Sequence, residues 1–372
     1  VQGDENMIRQ SFIIPIIKVT DSCNYACDFC YYAQRHLNGE LMSTDLCKKI
    51  IHDCFVYNVE QGNYRMRVIF HGGEPLLQPI SFYKEMIAYE RELSEKYNGF
   101  EFFNSIQTNG YFLNQKWMDF LYEESFDIGI SLDGPNDLNC HYGKGGLKES
   151  TDKVLNNIKL LNERKIPFGL ISVITNKHTS RAKEIYQFCV DNEIHDLSLN
   201  YCYNLDTDDT VKNENLIPFL REMFDLYFTG EFELNIREFN EMIAKIMGYC
   251  TDTCATCERR NCGQYISFDY VGNVFFCDSG YDKKSSIGNL KSESLYEIID
   301  SSKYLKKIIE CRNVFDTYCK ECNEKEWCGG GCHRYDICSG EIYNHNYFCP
   351  THRDLSNYIK NKIDNCQFGK EV

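Results

Sequence analysis

Cys23, Cys27 and Cys30 stand at C-x3-C-x2-C spacing in the stretch Cys23-Asn-Tyr-Ala-Cys27-Asp-Phe-Cys30, directly after the apolar run Ile13–Val19. Three thiolates converging from one loop can hold three irons of a 4Fe–4S cluster. The fourth iron then lacks a protein ligand and is open to another molecule. The same triplet also suits half of a structural zinc site, or three buried apolar thiols. Position favours the cluster: a strand runs straight into the loop, and Phe29 precedes the third cysteine.

A denser array follows near the C-terminus. Cys262 is followed after nine residues by Gly272 and after four more by Cys277. Then come Cys319-x2-Cys322-x5-Cys328-x3-Cys332 and finally Cys349, with Cys250, Cys254 and Cys257 just upstream of the array. Taken alone, Cys319–Cys332 suits a pair of zinc ribbons as well as iron–sulfur ligation. Gly329, Gly330 and Gly331 lie between two of these cysteines, where glycine lets backbone wrap closely around a cluster. Asp278 directly follows Cys277 and reads either as a turn carboxylate or as a reactive group.

These residues need a frame. Apolar runs at Ile13–Val19, Arg67–Phe70, Glu101–Gln107, Asp127–Leu132, Phe168–Ile174 and Asp196–Tyr201 predict six strands. Helix-type periods at 44–58, 81–97, 115–124, 150–164 and 179–192 alternate with them, capped by Ser43, Asn114 and Thr179. Such an alternation predicts an α/β chain with a parallel sheet, curled by right-handed crossovers into a partial (β/α)6 TIM-like barrel. Reactive residues then belong at the C-terminal ends of strands, where the cysteine triplet falls. So do three turns: His71-Gly72-Gly73-Glu74-Pro75, Gln107-Thr108-Asn109-Gly110 and Ser131-Leu132-Asp133-Gly134-Pro135. Glycines let backbone approach a ligand, and a carboxylate such as Glu74 can hold an ammonium group.

The expected organisation is an arm over 1–12, the barrel over 13–213 and a helical bridge over 214–249. A cysteine-rich domain over 250–372 would begin with a hairpin, Tyr265–Tyr270 and Asn273–Cys277, turning at Gly272. Helices are expected near 294–309 and 353–363. Asn176 and Asn200 are weaker candidates at later strand ends.

Composition narrows the class. The chain has 372 residues, 43% hydrophobic and 26% charged, enough for a sizeable core. Its net charge of −15 argues against a nucleic-acid partner, which needs a basic stripe. Twenty-one cysteines is an odd count, without an apolar signal segment in the first dozen residues, so disulfide stapling is disfavoured against metal–thiolate sites in a reducing cytoplasm. No apolar stretch approaches the ~20 residues of a membrane span. Cys47, Cys54, Cys140, Cys189, Cys202, Cys311, Cys338 and Cys366 are expected to be buried apolar thiols.

The triplet followed by Gly72-Gly73-Glu74-Pro75 resembles the radical S-adenosylmethionine (SAM) superfamily, and the seven-cysteine order resembles its C-terminal SPASM domain. Together they cover residues 13 to 363. The resemblance implies a SAM-binding 4Fe–4S cluster on Cys23, Cys27 and Cys30. It also implies SAM contacts from Phe29, Gly72, Gly73, Glu74, Asn109, Ser131 and Asp133. Two auxiliary 4Fe–4S clusters are implied, one on Cys262, Cys277 and Cys332, the other on Cys319, Cys322, Cys328 and Cys349. Cys257 is favoured over Cys254 and Cys250 as a further ligand of the first, a site that is otherwise open for substrate. Asp278 resembles the proton acceptor of anaerobic sulfatase-maturing enzymes.

The expected activity is cleavage of SAM to a 5'-deoxyadenosyl radical, then oxidative cross-linking (thioether or carbon–carbon) in a ribosomally made peptide precursor. His71 before Gly72-Gly73-Glu74, and Cys328-Gly-Gly-Gly-Cys332-His-Arg-Tyr, lean toward the cross-linking maturases. The alternative is oxidation of a sulfatase cysteine or serine to formylglycine, favoured by Asp278, chain length and an N-terminal arm too short for a leader-binding domain. The expected partners are a peptide or protein substrate, an electron donor such as flavodoxin or ferredoxin, and, for cross-linking, a separate leader-binding protein. A non-enzymatic zinc or cluster regulator would need neither the open-iron triplet nor the Gly-Gly-Glu-Pro turn.

Overall fold

The computed structural model describes residues 11–27, 30, 40–97, 99–135, 137–141, 146–203, 210–249, 254, 262–278, 285–303, 319–328, 330–339 and 342–368. In chain order the elements begin β1 (Ile14–Lys18), α1 (Thr44–Glu60), β2 (Arg65–His71), α2 (Ile80–Lys96), β3 (Glu101–Thr108), α3 (Gln115–Glu123), β4 (Asp127–Ser131) and α4 (Leu147–Glu163). They continue with β5 (Gly169–Ile174), α5 (Ala182–Asp191), β6 (Asp196–Tyr201), α6 (Asn213–Thr229), β7 (Asn235–Ile236) and α7 (Arg237–Ile246). The cysteine-rich part adds β8 (Tyr265–Phe268), β9 (Asn273–Phe275), β10 (Gly288–Asn289), α8 (Leu295–Ser301), β11 (Asp336–Ser339), β12 (Ile342–Asn346) and a closing helix, Cys349–Phe368. No helix among the described residues is long and apolar enough to cross a membrane.

Two compact units result. The first comprises Val1–Ser131, His141–Phe168 and Cys262–Glu310; the second comprises Leu132–Cys140, Gly169–Asn261 and Cys311–Val372. This division crosses the boundaries read from the sequence, and strand pairing gives the reason. Ile14–Ile17 pair in parallel with Tyr265–Phe268, so the hairpin after the βα repeats is stitched to the strand that precedes the cysteine triplet.

In the first unit β1, β2, β3 and β4 are successive parallel neighbours, with Lys18 opposite His71 and Thr108 opposite Ile130. All five residues of β1 are buried, as expected of a strand covered on both faces. β2 instead alternates: Met66, Val68 and Phe70 are buried, while Arg67, Ile69 and His71 line a more open face. Ser43 and Asn114 cap α1 and α3 as expected, their side chains accepting from Leu46 N and Trp117 N. β8 and β9 form the expected antiparallel hairpin with Gly272 at φ +92°.

In the second unit β5, β6 and β7 run parallel. Thr179 does not cap α5. The cap position is Arg181, and the Thr179 hydroxyl donates to the Asn176 carbonyl one turn earlier. The closing helix lies on α6, tied by Arg221 to both oxygens of Asp354 at 2.7 and 2.6 Å and by the Tyr358 hydroxyl donating to Asp225. It starts at Cys349, four residues before its expected start, because Pro350 is tolerated in a first helical turn.

Candidate active site

The cysteine loop leaves β1 and is held by the turn that ends β2. Gly73 N donates to Thr20 O at 2.9 Å and Glu74 N to Ser22 O at 2.7 Å. Gly72 has φ +131°, and a Cβ there would stand 2.4 Å from Thr20 O, so no larger residue fits. The pair of glycines thus docks the loop by main-chain contact.

Within the loop, Tyr25 N donates to Cys23 Sγ at 3.3 Å, and Asn109 Nδ2, from the end of β3, reaches the same sulfur at 3.7 Å. Cys27 is buried with its Sγ 3.5 Å from His141 Nδ1, and Cys30 packs against Phe275 of β9. Burial pushes the Cys23 thiol up to about 12, with Glu74, Cys27 and Cys30 adding to it. Such a thiol is neutral at pH 7 unless a metal takes the proton's place. Amide donors aimed at sulfur are what an anionic iron–sulfur cluster takes, so this donor set fits one. Phe29 lies outside the described residues.

Glu74 is fully buried. Its Oε1 accepts from Leu76 N at 2.9 Å and Thr108 Oγ1 at 2.7 Å; its Oε2 accepts from Asn109 N at 2.8 Å. Burial pushes its pKa up to about 7 against those three hydrogen bonds. Glu74 therefore braces the ends of β2 and β3, and three of its roughly four acceptor sites are engaged. Asn109 Nδ2 also donates to Asn24 Oδ1 at 2.8 Å, which locks the cysteine loop to β3. Gln107 Nε2 donates to Ser131 Oγ at 3.1 Å. The Gln107 side chain crosses Gly129 to do so: a Cβ there would stand 2.1 Å from its Oε1.

Asp133, expected among the SAM contacts, is engaged with the backbone. It is buried, and its oxygens accept from Val173 N at 2.7 Å and Cys140 N at 2.9 Å. It acts as a brace between β5 and the 135–140 turn. Asn176 and Asn200 are likewise engaged in structure, Asn176 Nδ2 with Thr210 O and Asn200 Oδ1 with Arg237.

Asp278 has a partner that sequence reasoning missed. Lys18 Nζ lies 2.8 Å from Asp278 Oδ1; the lysine side chain is 0% exposed and the aspartate 32%. Burial pushes the Lys18 ammonium down, opposed by Asp278, then Cys277 and Asp269. His71, opposite Lys18, accepts from Gly72 N through Nδ1 at 2.7 Å, which puts its proton on Nε2. Burial also lowers the pKa of His71, with Asp278 pulling upward. The signal available in the sequence was a lysine inside an otherwise apolar run, Ile13–Val19.

Cys319, Cys322, Cys328 and Cys349 come together in the second unit. Burial pushes Cys328 up to about 12, with the neighbouring Cys349, Cys319 and Cys322 adding to it against a hydrogen bond from Gly330. Four convergent thiols suit a fully ligated cluster. Glu324, between two of them, accepts from Ser356 Oγ at 2.7 Å, Lys360 Nζ at 2.8 Å and Trp327 Nε1, anchoring the array to the closing helix. Cys262 and Cys277 belong to the first unit and Cys332 to the second. Cys257 and Cys250 lie outside the described residues; Cys254 is half-buried. Of the remaining cysteines Cys47, Cys54, Cys189 and Cys202 are buried as expected, and Cys140 is half-buried. Cys311 and the Cys338 and Cys366 side chains lie outside the described set.

Comparison with known proteins agrees with this geometry. The Radical SAM superfamily matches residues 17–189, and an iron-sulfur cluster-binding domain, SPASM, matches residues 254–323. A cysteine-type anaerobic sulfatase-maturating enzyme of Clostridium novyi is 29% identical over 338 residues, 87% of this chain and 88% of the relative. A serine-type anaerobic sulfatase-maturating enzyme of Bacteroides thetaiotaomicron is 27% identical over 374 residues, 92% of this chain and 88% of the relative. A solved structure described as native anSMEcpe with bound AdoMet and Cp18Cys peptide has the same fold, with a TM-score of 0.81 at 21% identity over 96% of this chain and 99% of that one. The α/β partial barrel followed by a cysteine-rich iron–sulfur domain is thus the fold, and the chain carries a radical SAM domain and a SPASM domain.

Proposed function

We propose that this enzyme oxidises a cysteine or serine side chain of a protein substrate to formylglycine, with Asp278 as proton acceptor. The single observation that carries the reading is the carboxylate of Asp278, one third exposed directly after Cys277 and tied to a sealed lysine. The names of the curated relatives support the same reading. The cross-linking activity expected from the sequence stands second, leaning on His71 before Gly72-Gly73-Glu74 and on the stretch from Cys328 to Tyr335.

In this proposal Cys23, Cys27 and Cys30 hold one 4Fe–4S cluster. Cys319, Cys322, Cys328 and Cys349 hold a second, and Cys262, Cys277 and Cys332, with Cys257, a third. The Gly72-Gly73 backbone, Glu74, Asn109, Ser131 and Phe29 bound the SAM site. When bound, SAM and its cluster would supply, with an electron from a flavodoxin- or ferredoxin-type donor, the 5'-deoxyadenosyl radical that takes a hydrogen atom from the substrate, and an auxiliary cluster would accept the remaining electron. Asp278 takes the proton of the substrate hydroxyl or thiol; serine then stands as the aldehyde, while the thioaldehyde from cysteine reaches it by reaction with water and loss of hydrogen sulfide. The partial exposure of Asp278 lets a peptide reach it, and general-base transfer requires that hydrogen-bonding reach.

The test is anaerobic incubation of the reconstituted enzyme with SAM, a reductant and a synthetic peptide carrying the sulfatase motif, read by mass spectrometry. An aldehyde at the motif residue is expected. An unmodified motif peptide, beside loss of two hydrogens with an internal link in a cysteine-rich peptide encoded next to the enzyme, would instead establish the cross-linker.

A further inference from the structure

We propose that Lys18 is the positioning residue for Asp278: from its sealed place at the end of β1 it holds the carboxylate where the substrate's proton is taken. This deepens, and rests on, the reading of Asp278 as proton acceptor.

The lysine is unnecessary to the strand that carries it. β1 reads Ile-Pro-Ile-Ile-Lys and is buried at every position, so an aliphatic residue at position 18 would fill the same space. An ammonium there loses its hydration, which is tolerable only with a charged partner close by. Asp278 provides one at 2.8 Å. Asp269 also faces Lys18 among the described residues, and its oxygens serve the β8–β9 turn, accepting from Val271 N, Asn273 N and Asn273 Nδ2.

Asp278 sits at the open end of the pair: at 32% exposure its carboxylate is reachable from solvent. β9 ends at Phe275, so Asp278 lies beyond the last ladder hydrogen bond. Lys18, by contrast, sits in register with Ile17↔Phe70 and Lys18↔His71, at the strand ends where reactive groups of such sheets gather. The ion pair therefore ties the Asp278 carboxylate to the end of a buried strand. A carboxylate misplaced by about 1 Å costs up to about a hundredfold in rate.

The test uses the reconstituted holoenzyme and four variants, Lys18→Met, Lys18→Arg, Asp278→Asn and Lys18→Met combined with Asp278→Asn, checked for equal iron and sulfide content. The probe is the synthetic sulfatase-motif peptide. In Lys18→Met, deoxyadenosine release stays within about twofold of the parent while aldehyde formed per deoxyadenosine falls about tenfold to a hundredfold. Lys18→Arg recovers most of that ratio, and Lys18→Met combined with Asp278→Asn is no worse than Asp278→Asn alone. A crystal structure of Lys18→Met shows the Asp278 carboxylate displaced.

A normal product ratio in Lys18→Met, when Asp278→Asn is slow, overturns the role of Lys18 and leaves the proton acceptor standing. A normal ratio in Asp278→Asn overturns both. Arginine no better than methionine reduces position 18 to packing and overturns the proposal. Should the parent leave the peptide unmodified, the substrate reading fails, and an Asp278 carboxylate unmoved in Lys18→Met still overturns the positioning. If Lys18→Met does not accumulate, Lys18→Gln, which keeps a neutral donor, takes its place with the same outcomes.

Discussion

Gly73 lies so close to Ser22 that a Cβ on the glycine would stand 2.0 Å from the Ser22 carbonyl oxygen. The cysteine loop and the end of β2 are thus in backbone contact, and the obstructing atom is main chain that cannot swing away. Gly73→Ala is expected to push the loop off, costing on the order of 2 kcal/mol of stability. Iron bound by the N-terminal triplet should fall with it. A variant with parental melting temperature and iron content would contradict the docking.

The triplet itself is tested by replacing Cys23, Cys27 and Cys30 with alanine together. Deoxyadenosine release from SAM and reductant should disappear, while iron on the C-terminal cysteines persists. Measurable deoxyadenosine from the triple variant would remove these residues from the chemistry.

Glu324→Ala deprives Trp327 Nε1, Ser356 Oγ and Lys360 Nζ of a shared acceptor beneath the second array. Leaving such donors without a partner costs about 1–3 kcal/mol each where they are buried. The segment carrying Cys319, Cys322 and Cys328 should then loosen from the closing helix. Reconstitution is expected to yield about four fewer irons per chain, the content of one cluster. Glu324→Gln, which retains an acceptor, should lose less. Equal iron in all three proteins would show that the array holds without this anchor.

Glu90 gives a pH signature remote from the site. It is buried between α2 and β3, accepts from Asn104 Nδ2 at 2.7 Å, and burial raises its pKa from 4.5 to about 7. Between those values the folded chain holds a proton that the unfolded chain has released. Stability therefore falls as pH rises from about 4.5 to about 7 and then levels off. Glu90→Gln should remove a fall on the order of 3 kcal/mol. Urea midpoints at pH 5 and pH 8 are the measurement; the same pH dependence in both proteins would show that Glu90 is not the source.

The barrel was legible because its strands are short apolar runs between capped helices. β6 falls on Asp196–Tyr201, where the sequence placed it. What escaped was long-range. The parallel seam between Ile14–Ile17 and Tyr265–Phe268 joins segments some 250 residues apart, and no local pattern announces it. β11 and β12 were missed because they are short and sit among polar and cysteine residues with little alternation. Lys18 was hidden by the run around it, read as strand alone. Thr179 shows the converse error, since a hydroxyl in a suggestive place before a helix can be serving the backbone one turn earlier. The resemblance to the SPASM domain grouped Cys319, Cys322, Cys328 and Cys349, and in the structure Cys319, Cys322 and Cys349 lie together around Cys328.

The β1–β8 seam bears on how such enzymes can be recombined. The cysteine-rich region looks like a cassette to be exchanged between relatives, but its first strand is laced into the sheet beside the strand that delivers the triplet. A chimera joined anywhere in the helical stretch before Cys262 inherits two halves of one ladder from different parents. Productive graftings will have to move residues 13–18 together with 264–278, treating a pair of distant segments as one unit of inheritance.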